Sequence, residues 1–187
     1  MKCNILKNKS INNKDFLEIM ILHHQVAVEM SEIINKLSNN IIILEKARNI
    51  IFNQSIEINY MKMLYNEIDE INKIDEVNKI DEINIPNKPF KNTFELEYPI
   101  IFKNLKCDDS HFNLNHHNNH NMTDLQYVKH MISHHNTALE LSKLVIVSTK
   151  NSQILTLAQI INLNQSKEMF ELYFLEKSLS TYTKNKN

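Results

Sequence analysis

The sequence predicts an all-α protein, a four-helix bundle made of one helical hairpin written twice. Three observations carry this. The 187-residue chain contains no glycine. Phe16–Tyr65 aligns without gaps on Tyr127–Glu176, with seventeen identical positions, among them Met20/Met131, His23/His134, His24/His135, Ala27/Ala138, Asn53/Asn164, Gln54/Gln165 and Glu57/Glu168. Within each copy apolar residues recur at steps of three and four, the spacing of one face of an α-helix.

The missing glycine excludes whole function classes. Phosphate-cradling loops, dinucleotide fingerprints and nucleophile elbows all need glycine where backbone meets phosphate or turns sharply. Tight primed hairpins lose their usual residue as well. Helices joined by short polar loops remain. The formal charge is −1, and Arg48 is the single arginine. That argues against a nucleic-acid partner, which needs a clustered basic footprint. Two cysteines, Cys3 and Cys107, are too few for a disulfide framework. No run approaches the roughly 20 apolar residues of a membrane span, and the first fifteen residues lack the apolar stretch of a signal peptide. The expectation is a soluble intracellular protein with no membrane partner.

A polar tail covers residues 1–14. The first helix follows, with Phe16, Met20, His23, Ala27, Met30 and Ile34 on one stripe. Its first histidine falls inside the apolar face and its second at the shoulder. Asp15, and Asp124 in the second copy, suit an N-cap or a first helical turn. "KLSNN" (Lys36 to Asn40) reads as the turn. The second helix carries Ile43, Ala47, Ile50, Gln54, Glu57, Met61 and Leu64 on its stripe. Hairpin 1 is therefore placed at 15–68.

An insert at 69–122 separates the copies. "IDEINKIDEVNKIDEINIP" (Ile68 to Pro86) has an apolar residue every third position, and on an α-helix that stripe precesses. It reads either as an outward extension of the second helix or as low-complexity sequence. "HFNLNHHNNH" (His111 to His120) reads as compositional drift or as a loose metal-capturing tract near Cys107. Hairpin 2 is placed at 123–180, with its turn at "STKNS" (Ser148 to Ser152), and 181–187 is a tail.

Counting outward from each turn puts the histidines level with Gln54–Glu57 and with Gln165–Glu168, because antiparallel helices rise equally, about 1.5 Å per residue. Imidazole is a common metal ligand and thioether a soft one that favours Cu(I). Met20, His23 and His24 share a helix face, with Glu57 and Met61 approaching from the facing helix. Met131, His134, His135 and Glu168 repeat the set. Bundle cores are where such metal sites are built. Met30 and Met61 become Leu141 and Leu172 in the second copy, so the second cluster is expected to be the weaker copper site. The alternative is structural: buried histidines that donate to glutamate or glutamine across the hairpin and fix its register.

"FLEIMILHHQVAVEM" followed by "ARNIIFNQSIEINYM" resembles the domain-of-unknown-function 305 family. "HMISHHNTALEL" with "AQIINLNQSKEMFEL" resembles a second copy of the same motif. The resemblance covers about 15–65 and 124–176. It implies a ferritin-like four-helix bundle, with some members binding copper through histidine and methionine. Carried onto this sequence, the implied ligands are Met20, His23, His24 and Met61, then Met131, His134 and His135. Copper is thus the expected ion, and metal buffering, storage or delivery the expected role. The other reading is a non-catalytic structural or interaction bundle. The Glu-x-x-His motif of di-iron bundles does not occur in these helices, and no nucleophile–base pair follows from spacing, so the sequence supports no catalytic assignment.

Overall fold

Three residues turn each hairpin, Ser38–Asn40 and Thr149–Asn151. The computed structural model describes residues 11–77 and 122–184. They form α1 (Asn13–Leu37), α2 (Ile41–Val77), α3 (Asp124–Ser148) and α4 (Ser152–Lys184), and among the described residues there is no strand. The residues that end α1 and α3, Ser38 and Thr149, are extended, at φ −78° and −77°. Each hydroxyl then accepts from a backbone N–H two residues on, Asn40 at 3.0 Å and Asn151 at 3.1 Å. The Asn40 and Asn151 side chains in turn accept from Ile42 and Gln153, in the first turns of α2 and α4. Side-chain oxygens satisfy the free helix-end donors that would otherwise stay unbonded, which is how a glycine-free chain turns this tightly.

The starts of α1 and α3 are capped differently. Asn12 accepts from the Asp15 N–H at 2.8 Å. Thr123 and Gln126 form a reciprocal capping box. Asp15 and Asp124 are thus first-turn acids, and the caps stand earlier in the chain. α2 runs on to Val77, so the helix takes in the opening of the Ile/Asp/Glu/Asn repeat. Met122, grouped with the insert on sequence grounds, is buried against the core. The remainder of that insert, with Cys107 and the His111–His120 tract, lies outside the described residues.

The hairpins dock head to tail. Ser148, at the end of α3, donates to the Ile11 carbonyl just before α1, and Thr149 donates to Asn13 at 2.7 Å. At the other end Ser31 of α1 meets the hydroxyl of Tyr127 of α3 at 2.8 Å. α2 and α4 run side by side in the same antiparallel sense, joined by the Lys46–Glu171 ion pair and by Asn164 donating to Glu57 at 2.8 Å.

This docking divides the core. One apolar cluster gathers Phe16, Leu17 and Met20 with Met61 and Leu64, and with Ala138, Leu141 and Ile161. The other gathers Ala27, Met30 and Ile34 with Ile43 and Ile50, and with Met122, Tyr127, Met131 and Leu172. Each cluster draws on all four helices. Fully burying a large aliphatic side chain stabilises by roughly 1.5–3 kcal/mol, so the two clusters hold the bundle shut above and below a buried polar layer. That layer comprises His23, His24, Gln54, Glu57, His134, His135, Gln165 and Glu168.

Candidate metal centre

Adjacent residues on an α-helix point about 100° apart, and α1 and α3 use that rotation to give their paired histidines different neighbours. His24 turns toward its own hairpin, where its Nε2 lies 2.7 Å from Glu57 Oε2. His23 turns toward the other hairpin, and its ring stacks on that of His134 with centroids 3.6 Å apart and planes 31° from parallel. The second hairpin repeats the arrangement, with His135 Nε2 at 2.7 Å from Glu168 Oε2. Ring centroids within each pair are 6.2 Å and 6.3 Å apart. The result is a chain of four buried imidazoles, His24–His23–His134–His135, with a carboxylate at either end.

The electrostatics fix part of the protonation. Burial pushes the Glu57 carboxyl up, but the hydrogen bonds from His24 and Asn164 and the nearby imidazoles outweigh it and hold it below the usual carboxylate range. An ionised carboxylate only accepts, so His24 Nε2 carries the hydrogen and donates. In a neutral ring Nδ1 is then the lone-pair nitrogen. Among the described residues, His24 Nδ1 and His135 Nδ1 are buried without a hydrogen-bond partner.

All nine site residues expected from the sequence are buried: Met20, His23, His24, Glu57, Met61, Met131, His134, His135 and Glu168. The docking of the hairpins stacks His23 on His134 and so sets the two histidine pairs in one row. Among the described residues no three histidine, cysteine, aspartate or glutamate side chains converge as a ready-made metal site. The methionines are shared across the hairpins. Met20 and Met61 sit in one apolar cluster, and Met30 and Met122 join Met131 in the other. Met30 of the first hairpin thus packs in the same apolar cluster as Met131 of the second.

Two polar partnerships escaped the sequence reading. Asn164 holds the second oxygen of Glu57. Its signal was present, since Asn53 and Asn164 repeat one helical turn before Glu57 and Glu168. The Ser31–Tyr127 bond left no such trace, because Tyr127 replaces the phenylalanine of the first copy. Gln54, placed opposite the histidines by counting, is buried there, and its amide has no hydrogen-bond partner among the described residues.

The fold and its buried layer define a class: an interlocked pair of homologous helical hairpins closed around histidine and carboxylate. The chain belongs to the family described as a domain of unknown function, DUF305, whose sequence model matches residues 13–122 and 124–187. Among solved structures, it resembles CopM in the Cu(II)-bound form at 21% identity and TM-score 0.62, covering 91% of this chain and 99% of that one. CopM in the Cu(I)-bound form matches at 20% identity and TM-score 0.61, over 91% and 99%. A DUF305 fragment from Deinococcus radiodurans matches at 14% identity and TM-score 0.62, over 90% and 98%. These likenesses show the shared fold. No curated protein sequence matches the chain. No helix among the described residues is long and apolar enough to cross a membrane.

Proposed function

We propose that this chain is a metal-binding bundle that takes up copper as Cu(I), for buffering, storage or delivery. The single observation that carries the reading is the chain of four buried imidazoles shared between the hairpins, with methionine in the apolar cluster on either side. Neutral imidazole nitrogen and thioether sulfur form the donor set that favours Cu(I) over hard cations. Met20, His23, His24 and Met61 supply donors from the first hairpin, and Met131, His134 and His135 from the second. Glu57 and Glu168 act through the histidines they touch. A carboxylate on one ring nitrogen fixes the tautomer, orients the ring and raises the basicity of the other nitrogen. The solved structures described as Cu(I)- and Cu(II)-bound CopM support copper as the ion.

The test is Cu(I) uptake by protein made without a histidine tag, compared with a His23→Ala, His24→Ala variant. The wild type retains copper through desalting, and the variant loses most of it. Equal retention by a folded variant overturns the assignment.

One observation favours a second reading. Each His–Glu pair already satisfies a buried nitrogen and a buried carboxylate, which suffices for a lock on hairpin register. On that reading elemental analysis finds no metal, and truncating either partner lowers stability alone.

A further inference from the structure

We infer that the polar groove between α2 and α4 is the route by which a cation reaches the imidazoles, and that Glu168 is the group that passes it inward. The inference rests on the copper reading above and adds where the ion crosses the protein.

A site this enclosed needs an opening. Of the eight residues in the polar layer, six are 0–2% exposed, and the two carboxylates are 8% exposed. The layer therefore meets solvent on its carboxylate side, which faces α2 and α4. There a groove of about 270 Å³ lies between the two helices, lined by Lys46, Asn53, Asn164, Lys167, Glu168 and Glu171 among others. Glu168 spans the distance: it lines the groove and touches His135 with Oε2.

The two hairpins differ at this point despite their repeat. Glu57 is held at both oxygens, by His24 and by Asn164. Asn53, the counterpart of Asn164, is exposed on the groove wall. Glu57 is thus fixed in place by its asparagine, and Glu168 is the carboxylate of the pair that borders the groove. The Lys46–Glu171 ion pair ties α2 to α4 beside it. Its ammonium narrows the approach and, with that of Lys167, opposes an incoming cation, while the asparagine amides and the glutamate carboxylates supply the oxygens. A small cation sheds water against those oxygens, passes to Glu168, and leaves the hard carboxylate for softer nitrogen and sulfur donors inside.

The route is tested by loading rates. Cu(I) is presented as a coloured complex with a bidentate chelator, where transfer follows protein concentration, and loss of colour is timed in a stopped-flow instrument. Lys46→Leu removes the strap and its charge, so uptake and release both rise about tenfold and affinity stays within twofold. Asn53→Trp fills the groove from an exposed position, so uptake slows about tenfold while the final amount bound is unchanged. Asn136→Trp, an exposed site on α3 next to His135, loads at the wild-type rate. If Lys46→Leu and Asn53→Trp both load at that rate, or if Asn136→Trp is the variant that slows, the route is overturned and the copper reading stands. If the wild type binds no Cu(I) at equilibrium, the copper reading falls and takes the route with it.

Discussion

The imidazole of His23 lies against that of His134, centroids 3.6 Å apart, at the point where the two hairpins cross. This contact joins the repeats, and both rings are almost fully buried. Replacing either histidine by alanine leaves a cavity with no room to collapse, at a cost of about 2–4 kcal/mol. The double variant costs less than the two single losses added, by about 1 kcal/mol or more, because the residues share one contact. Urea melts of the four proteins check this, and strict additivity contradicts the contact.

The His–Glu pairs are matched in length, so their removal should be matched in effect. Glu57→Ala leaves His24 without its acceptor, and Glu168→Ala does the same to His135. Each lowers stability by about 1–3 kcal/mol. Thermal melts of the metal-free proteins should place the two variants close together, with Glu57→Ala the lower because Asn164 also loses its partner.

The repeat breaks where Tyr127 bonds Ser31 in one half and Phe16 and Ser142 occupy the equivalent positions in the other. The Ser142 hydroxyl is buried and has no hydrogen-bond partner among the described residues. Phe16→Tyr supplies one, in a space the other half shows can hold a phenol, and should stabilise by about 1 kcal/mol. Tyr127→Phe strands Ser31 and should destabilise by about 1–2 kcal/mol. Chemical denaturation reads both, and a loss of stability in Phe16→Tyr contradicts the equivalence of the halves.

Tyr127 also sets an alkaline limit. Burial pushes its hydroxyl well above the usual phenol range, with the Ser31 bond a smaller effect in the other direction. The folded state therefore holds the proton after the unfolded chain has released it. The stability from this group is complete below pH of about 10 and falls above it, at up to about 1.4 kcal/mol per pH unit. Melting temperature measured from pH 8 to 11 should drop more steeply in the wild type than in Tyr127→Phe.

Much of this was legible in the sequence, for reasons that end at the hairpin. Helical stripes and polar turns located Ser38–Asn40 and Thr149–Asn151, and equal rise placed the histidines opposite Glu57 and Glu168. Counting is good to a residue or two, though, and one residue is about 100° of rotation. It could not tell that His24 faces Glu57 while His23 faces the other hairpin. Nor could periodicity show that α1 docks antiparallel on α3, which is what moves Met30 into the cluster of Met131. The same limit hides Phe52, Ile56, Leu163, Phe170 and Phe174, large apolar side chains that stay exposed on α2 and α4. Phe52 and Ile56 fall off the apolar stripe of α2, and the packing leaves them exposed.

The central claim is the proposal that the buried imidazoles of both hairpins take part in copper uptake. Its most direct measurement is a Cu(I) competition titration on four folded proteins: wild type, His23→Ala with His24→Ala, His134→Ala with His135→Ala, and all four changes together. The account predicts that either pair of substitutions weakens binding by at least tenfold and to a similar degree, and that the fourfold variant does not compete with the chelator. A fourfold variant that holds Cu(I) as tightly as the wild type contradicts it.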